Sequence, residues 1–177
     1  MKENTLGAQL YTVRQFTQTI PDIAETLKKV ADIGYTAIQI SAFGPVDPKE
    51  VAKLVEDNGL TVACTHMGWD RFRNELDDVI ATHKMWNCVH PAIGSLSGEY
   101  NSLDGLERFL DELAPIAERL GQEGMDFSYH NHNHELMRYG EKTWLEMLYE
   151  QAPPEMLKAE IDVYWIQAGG GDPAAWI

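Results

Sequence analysis

Tyr129-His130-Asn131-His132-Asn133-His134-Glu135 closes an apolar run that begins at Asp126. About thirty residues further on, a second apolar run carries Glu160-Ile161-Asp162-Val163-Tyr164-Trp165. Each reads as a strand with polar side chains gathered near its C-terminal end. Strand side chains alternate faces, so Ser128, His130 and His132 share one face while Phe127, Tyr129 and Asn131 take the other. The same rule sets Glu160 beside Asp162 and turns Ile161 and Val163 away. Two imidazoles and two carboxylates on one face form a mixed nitrogen and oxygen ligand set. Such a set suits zinc, manganese, iron or cobalt better than calcium.

Working outward, the chain repeats this unit. Strands are expected at Leu6 to Thr12, Ala37 to Ala42, Thr61 to Met67, Asn87 to Ile93, Asp126 to His132 and Leu157 to Trp165. Amphipathic helical stretches lie between them, at Pro21 to Ile33, Pro48 to Asp57, Arg71 to Met85, Leu103 to Leu120 and Lys142 to Tyr149. Asp47-Pro48 and Asp172-Pro173 read as an N-cap followed by a first-turn proline, and Gly34, Gly59 and Gly121 as helix ends. Strands separated by helices imply a parallel α/β sheet. An open doubly wound sheet calls for a glycine-rich phosphate turn after the first strand, and none is present. Gly169-Gly170-Gly171, after the sixth strand, reads as a loop.

Every strand carries a polar pair of one parity: Gln9 and Tyr11, Gln39 and Ser41, Cys64 and His66, Cys88 and His90, His130 and His132, Glu160 and Asp162. A barrel with helices outside makes such pairs converge, which predicts a (β/α)8 TIM barrel. Units recur about every 30 residues, so eight need about 240. The expectation is one domain over 1–177, an incomplete barrel of about six β/α units lacking the last two. The outer strands of such a fragment carry unpaired edges, which predicts self-association into a homo-oligomer.

At 177 residues, with 44% hydrophobic and 24% charged side chains, the chain is long enough to bury a real core. No apolar run approaches the length of a membrane span, and the first residues lack a signal-peptide core. The expected setting is cytoplasmic, with Cys64 and Cys88 reduced, and no membrane partner. A formal charge of -14 repels nucleic-acid backbones and leaves a small neutral or carbonyl compound as the expected partner.

Leu6-Gly7-Ala8-Gln9-Leu10-Tyr11-Thr12-Val13-Arg14, Thr65-His66-Met67-Gly68, Tyr129 to His132 with Glu135, and Glu160 to Trp165 with Gly169 to Pro173 together resemble the xylose isomerase-like TIM-barrel superfamily. That superfamily groups sugar phosphate isomerases and epimerases with AP endonuclease family 2. The resemblance implies one divalent metal ion (Mn, Zn, Co, Fe or Mg) held at strand ends. Asp162 matches the sixth-strand aspartate. The fifth-strand position, commonly glutamate, is His130 here or is served by Glu135. The resemblance places a further histidine and glutamate beyond Ile177.

The expected metal ligands are therefore Asp162, His130 and His132. Glu160, His130 and Glu135 are the candidate catalytic groups, and Gln9, Tyr11, His66, His90, Asn131 and Trp165 the candidate substrate contacts. His134 reads as solvent-facing and His83 as a helix residue without a partner. The expected activity is a metal-dependent sugar isomerase or epimerase that abstracts a proton next to a polarised carbonyl. A dehydratase or lyase shares that first step. An inactive, self-associating barrel fragment is the non-enzymatic alternative. A zinc-dependent abasic-site endonuclease is disfavoured by the charge and by Trp165.

Overall fold

A computed structural model describes residues 5–177. The chain divides into two compact units, one made of the residues through Met67 together with Asp77–Pro91, the other of Gly68–Leu76 and Ala92–Ile177.

In the first unit β1 (Gly7–Gln9), β2 (Ala37–Ser41) and β3 (Thr61–Met67) pair side by side and parallel. Helix α1 (Ile20–Ile33) connects β1 to β2 and α2 (Pro48–Asp57) connects β2 to β3. Both helices start where the sequence says they should. The Thr19 side chain accepts from the Asp22 N–H with Pro21 in the first turn, and the Asp47 side chain accepts from the Lys49 N–H at 2.9 Å. Helix α1 stops at Gly34, whose φ of 110° is open to glycine at little cost. The apolar stripe Ile23, Leu27 and Val30 then packs on Ile38, Ile40, Val51, Val55 and Val62. Ile23 and Leu27 are fully buried, each stabilising by about 1.5–3 kcal/mol relative to exposure.

The second unit contributes a short α3 (Trp69–Asn74), after which α4 (Leu76–Met85) belongs mainly to the first. It continues with β4 (Pro91–Ile93), α5 (Leu103–Gln122) and β5 (Ser128–His130). A two-stranded antiparallel hairpin follows, β6 (Arg138–Tyr139) with β7 (Lys142–Thr143), leading into α6 (Trp144–Gln151). Helix α6 opens on a capping box in which Thr143 and Glu146 satisfy each other's backbone N–H groups. β8 (Lys158–Glu160) and α7 (Val163–Ala168) complete the unit. β4, β5 and β8 pair in parallel. Their core is aromatic: Trp69, Phe72, Phe109 and Phe127 meet in edge and tilted contacts with centroids 5.0–6.2 Å apart.

Three parallel strands in each unit give the six β/α units expected of an incomplete TIM barrel. Several elements differ from expectation. The first strand ends at Gln9 and turns into a 3-10 segment, Leu10–Phe16, so Tyr11 is not a strand residue. The fifth strand stops at His130 and the sixth at Glu160. Asp162 caps α7, and Trp165 is helical. The expected helix from Arg71 to Met85 is two helices broken at Glu75, whose φ and ψ of -136° and 35° are non-helical.

Candidate metal centre

The register of β5 on β8 pairs Ser128 with Lys158, Tyr129 with Ala159 and His130 with Glu160. Beyond that point the backbones part, and a side chain takes over the ladder. Asn131, fully buried, accepts the Asp162 N–H at 2.8 Å through Oδ1 and donates from Nδ2 to the Asp162 carbonyl at 3.3 Å. This fixes Asp162 opposite the end of β5. Its Oδ1 accepts the Trp165 N–H at 3.2 Å as the cap of α7, and its Oδ2 turns to His130 Nε2 at 3.1 Å.

The other His130 nitrogen, Nδ1, lies 3.1 Å from the carbonyl of Gly94 in the loop after β4. A carbonyl only accepts, so Nδ1 carries the proton and donates it. A neutral imidazole has one N–H, and Nε2 is then a lone pair aimed at a carboxylate oxygen. Two acceptors facing each other at 3.1 Å require something positive: a second proton on the ring, or a cation shared by both. The Gly94 contact fixes the orientation of the ring, the same kind of contact by which metal-binding histidines are held.

Next to this pair stands a second cluster. His132, His134 and Glu135 bring one ligand atom each within 4.8 Å of one another. The ring of His132 lies 4.9 Å from that of His130, 5.7 Å from His134 in a stacked arrangement and 5.2 Å from Trp165. Burial, followed by the neighbouring His130 charge, lowers the pKa of His132 and favours its neutral, ligating form. Glu135 is 1% exposed and accepts from the Tyr129 hydroxyl at 2.9 Å and from the His132 N–H at 2.8 Å. Tyr129 is raised well above the usual tyrosine range, by burial and then by the Glu135 charge, and stays a donor. His134, expected in solvent, is half-buried, with Nε2 3.2 Å from Glu135 Oε1.

Glu160 is half-buried at the end of β8, beside His130 in register. Trp165, also half-buried, stacks edge-on with Tyr164 in α7. The remaining candidates lie in the first unit. Gln9 ends β1 half-buried. Tyr11 is 47% exposed beneath the Arg14 guanidinium, and His66 Nδ1 meets Ser41 Oγ at 3.2 Å. The His90 side chain is exposed, and its carbonyl accepts the Thr65 N–H at 3.4 Å. His83 departs from expectation. It is buried and has partners, donating from Nδ1 to Val79 O at 2.7 Å and meeting Thr65 Oγ1 at 2.8 Å through Nε2. Sequence reasoning missed the Gly94 carbonyl, which has no side-chain signature. It also missed Tyr129, whose only signal was its parity opposite His130.

A parallel β/α fold with polar side chains gathered at the C-terminal ends of its strands is the arrangement of the TIM-barrel proteins. The profile of the xylose isomerase-like TIM barrel family matches residues 27–176, and the chain belongs to that family. Among solved structures, it is similar to a sugar phosphate isomerase/epimerase from Parabacteroides distasonis ATCC 8503, with 23% identity, a TM-score of 0.81, and coverage of 99% of this chain and 71% of that one. An AP endonuclease, family 2, from Brucella melitensis gives 18%, 0.74, 98% and 74% in the same order. A D-allulose 3-epimerase from Methylomonas sp. gives 13%, 0.68, 91% and 63%. No curated protein matches the sequence. No described helix is long and apolar enough to cross a membrane.

Proposed function

We propose that the chain carries part of the active centre of a divalent-metal-dependent sugar isomerase or epimerase. The observation that carries this reading is the His130–Asp162 pair: imidazole Nε2 3.1 Å from a carboxylate oxygen, with the other ring nitrogen tied to Gly94 O. Imidazole with carboxylate is a borderline donor set that fits manganese, zinc, cobalt or iron, and magnesium through the carboxylate. His130 and Asp162 would hold the ion, which when bound polarises a carbonyl of the sugar.

The protein's own groups do the rest. Asn131 sets the height of Asp162 on the sheet. Glu160, registered beside His130, would take a proton from the carbon next to the carbonyl. Its return to the other face of that carbon gives epimerisation, and to the neighbouring carbon isomerisation. Expulsion of a leaving group instead gives dehydration. Glu135, 1% exposed, holds the His132 backbone and acts as a positioning residue.

The test is exchange of substrate C–H for deuterium, followed by NMR, on a panel of ketoses with manganese-loaded protein in D2O. Exchange that Glu160→Gln abolishes while metal binding persists is the expected result. Exchange unaffected by both Glu160→Gln and Asp162→Asn would refute the proposal.

A further inference from the structure

Beyond the His130–Asp162 pair, we infer that His132, His134 and Glu135 form a separate seat for a second divalent transition-metal cation. Three observations meet here. First, the ligand atoms of the three side chains lie within 4.8 Å of one another. Tetrahedral bonds of about 2.0–2.2 Å set ligand atoms roughly 3.3–3.6 Å apart, so side-chain turns of about an ångström close the set.

Second, the seat has unmet valences. His132 Nδ1 and His134 Nε2 are both buried without a hydrogen-bond partner. His134 Nε2 lies 3.2 Å from Glu135 Oε1 but lacks hydrogen-bond geometry. A buried imidazole nitrogen left unbonded costs about 1–3 kcal/mol, and two in one cluster are uncommon without a ligand between them.

Third, the charge balance calls for a cation. Glu135 is 1% exposed, and its hydrogen-bond donors, the Tyr129 hydroxyl and the His132 N–H, are both neutral. No lysine or arginine among the described residues pairs with it, and His134 alone stands in ion-pair range. Each carboxylate oxygen accepts one hydrogen bond and keeps a lone pair for a metal. Two imidazoles and one carboxylate, with positions left for water, make a ligand set common for zinc.

Tyr129 and the His132 N–H then act behind the metal, orienting the carboxylate from the side away from it. The β5 end thus carries donors for two ions, His130 pointing to Asp162 and His132 to its own loop.

The experiment is equilibrium dialysis of the chain against zinc, with bound ion measured by elemental analysis. Cobalt(II) substitution, read by visible absorption, reports the ligand geometry. Wild type is expected to hold two ions per chain, Asp162→Asn one, His134→Ala one and the double variant none. His134→Phe, which keeps the stacking on His132, serves as the second variant, and circular dichroism shows that each is folded. A single ion removed by His134→Ala but kept by Asp162→Asn would support this seat and overturn the proposed catalytic one. Full retention of two ions in both His134 variants, a single ion sensitive only to Asp162, or no bound ion would overturn the second seat.

Discussion

Asp162 does two jobs with its two oxygens, and substitution separates them. Oδ1 caps α7 through the Trp165 N–H, and Oδ2 faces His130. Asparagine caps as well as aspartate, so in excess chelator Asp162→Asn should lie within about 0.5 kcal/mol of wild type. Asp162→Ala should lose about 1 kcal/mol. With a urea slope of about 2 kcal/mol per molar, that is a midpoint lower by about 0.5 M. Losing an orienting partner behind a metal ligand costs roughly 10–100-fold in affinity, so neutralising the carboxylate itself should cost at least about 100-fold. Metal at 100 times the wild-type dissociation constant adds about 2.7 kcal/mol to stability, and with 100-fold weaker binding only about 0.4. The assay is urea unfolding with and without manganese, run in a His134→Ala background so that only one seat reports. If Asp162→Asn keeps the full metal-linked increment, the reading of Oδ2 is wrong. If Asp162→Ala unfolds no earlier than Asp162→Asn in chelator, the reading of the cap is wrong.

Glu135→Gln leaves one acceptor for two donors, so either the His132 N–H or the buried Tyr129 hydroxyl proton loses its partner, and should lower stability by about 1–3 kcal/mol in chemical denaturation. Gly44→Ala places a Cβ 2.0 Å from the Gln18 carbonyl oxygen, a backbone clash that should cost about 1–3 kcal/mol or more and show as a lower melting temperature. Leu27→Ala, at a site with no exposure, should cost about 2–5 kcal/mol by the same measurement. β1 and β8 end the six-strand order, and each pairs on one side only among the described residues. We expect light scattering to show a concentration-dependent dimer, and a monomer at all concentrations would contradict that.

Where the code is local, the sequence was readable. Asp47-Pro48 and Gly34 bound their helices as expected, and β3 runs over the expected Thr61–Met67. The errors lie where a short apolar run is ambiguous. Ile161, Val163 and Trp165 alternate like a strand, yet Asp162 starts a helix, because its side chain caps the Trp165 N–H and so offers the backbone an alternative to strand pairing. The break at Glu75 has neither glycine nor proline to mark it. For the site, residue types singled out His130 and Asp162, but strand parity reaches only Glu160, and Asp162 meets His130 as a helix cap. The partners that decide what these groups do are non-local. Thr65 reaches His83 from another element, Gly94 contributes only a carbonyl, and the burial of Glu135 depends on a tyrosine whose face pointed elsewhere.

Asn131 has a consequence for how this protein can vary. Its amide meets both the N–H and the C=O of Asp162, which no other residue of that size does with both hydrogen-bonding senses correct. The clamp grips main chain, so it is indifferent to the side chain at 162 and holds the alignment of the two segments whatever stands there. A slide by one residue would turn every neighbouring side chain over. Exchange of His130 or Asp162 for other side chains therefore leaves the scaffold in step, whereas replacing Asn131 removes the clamp itself.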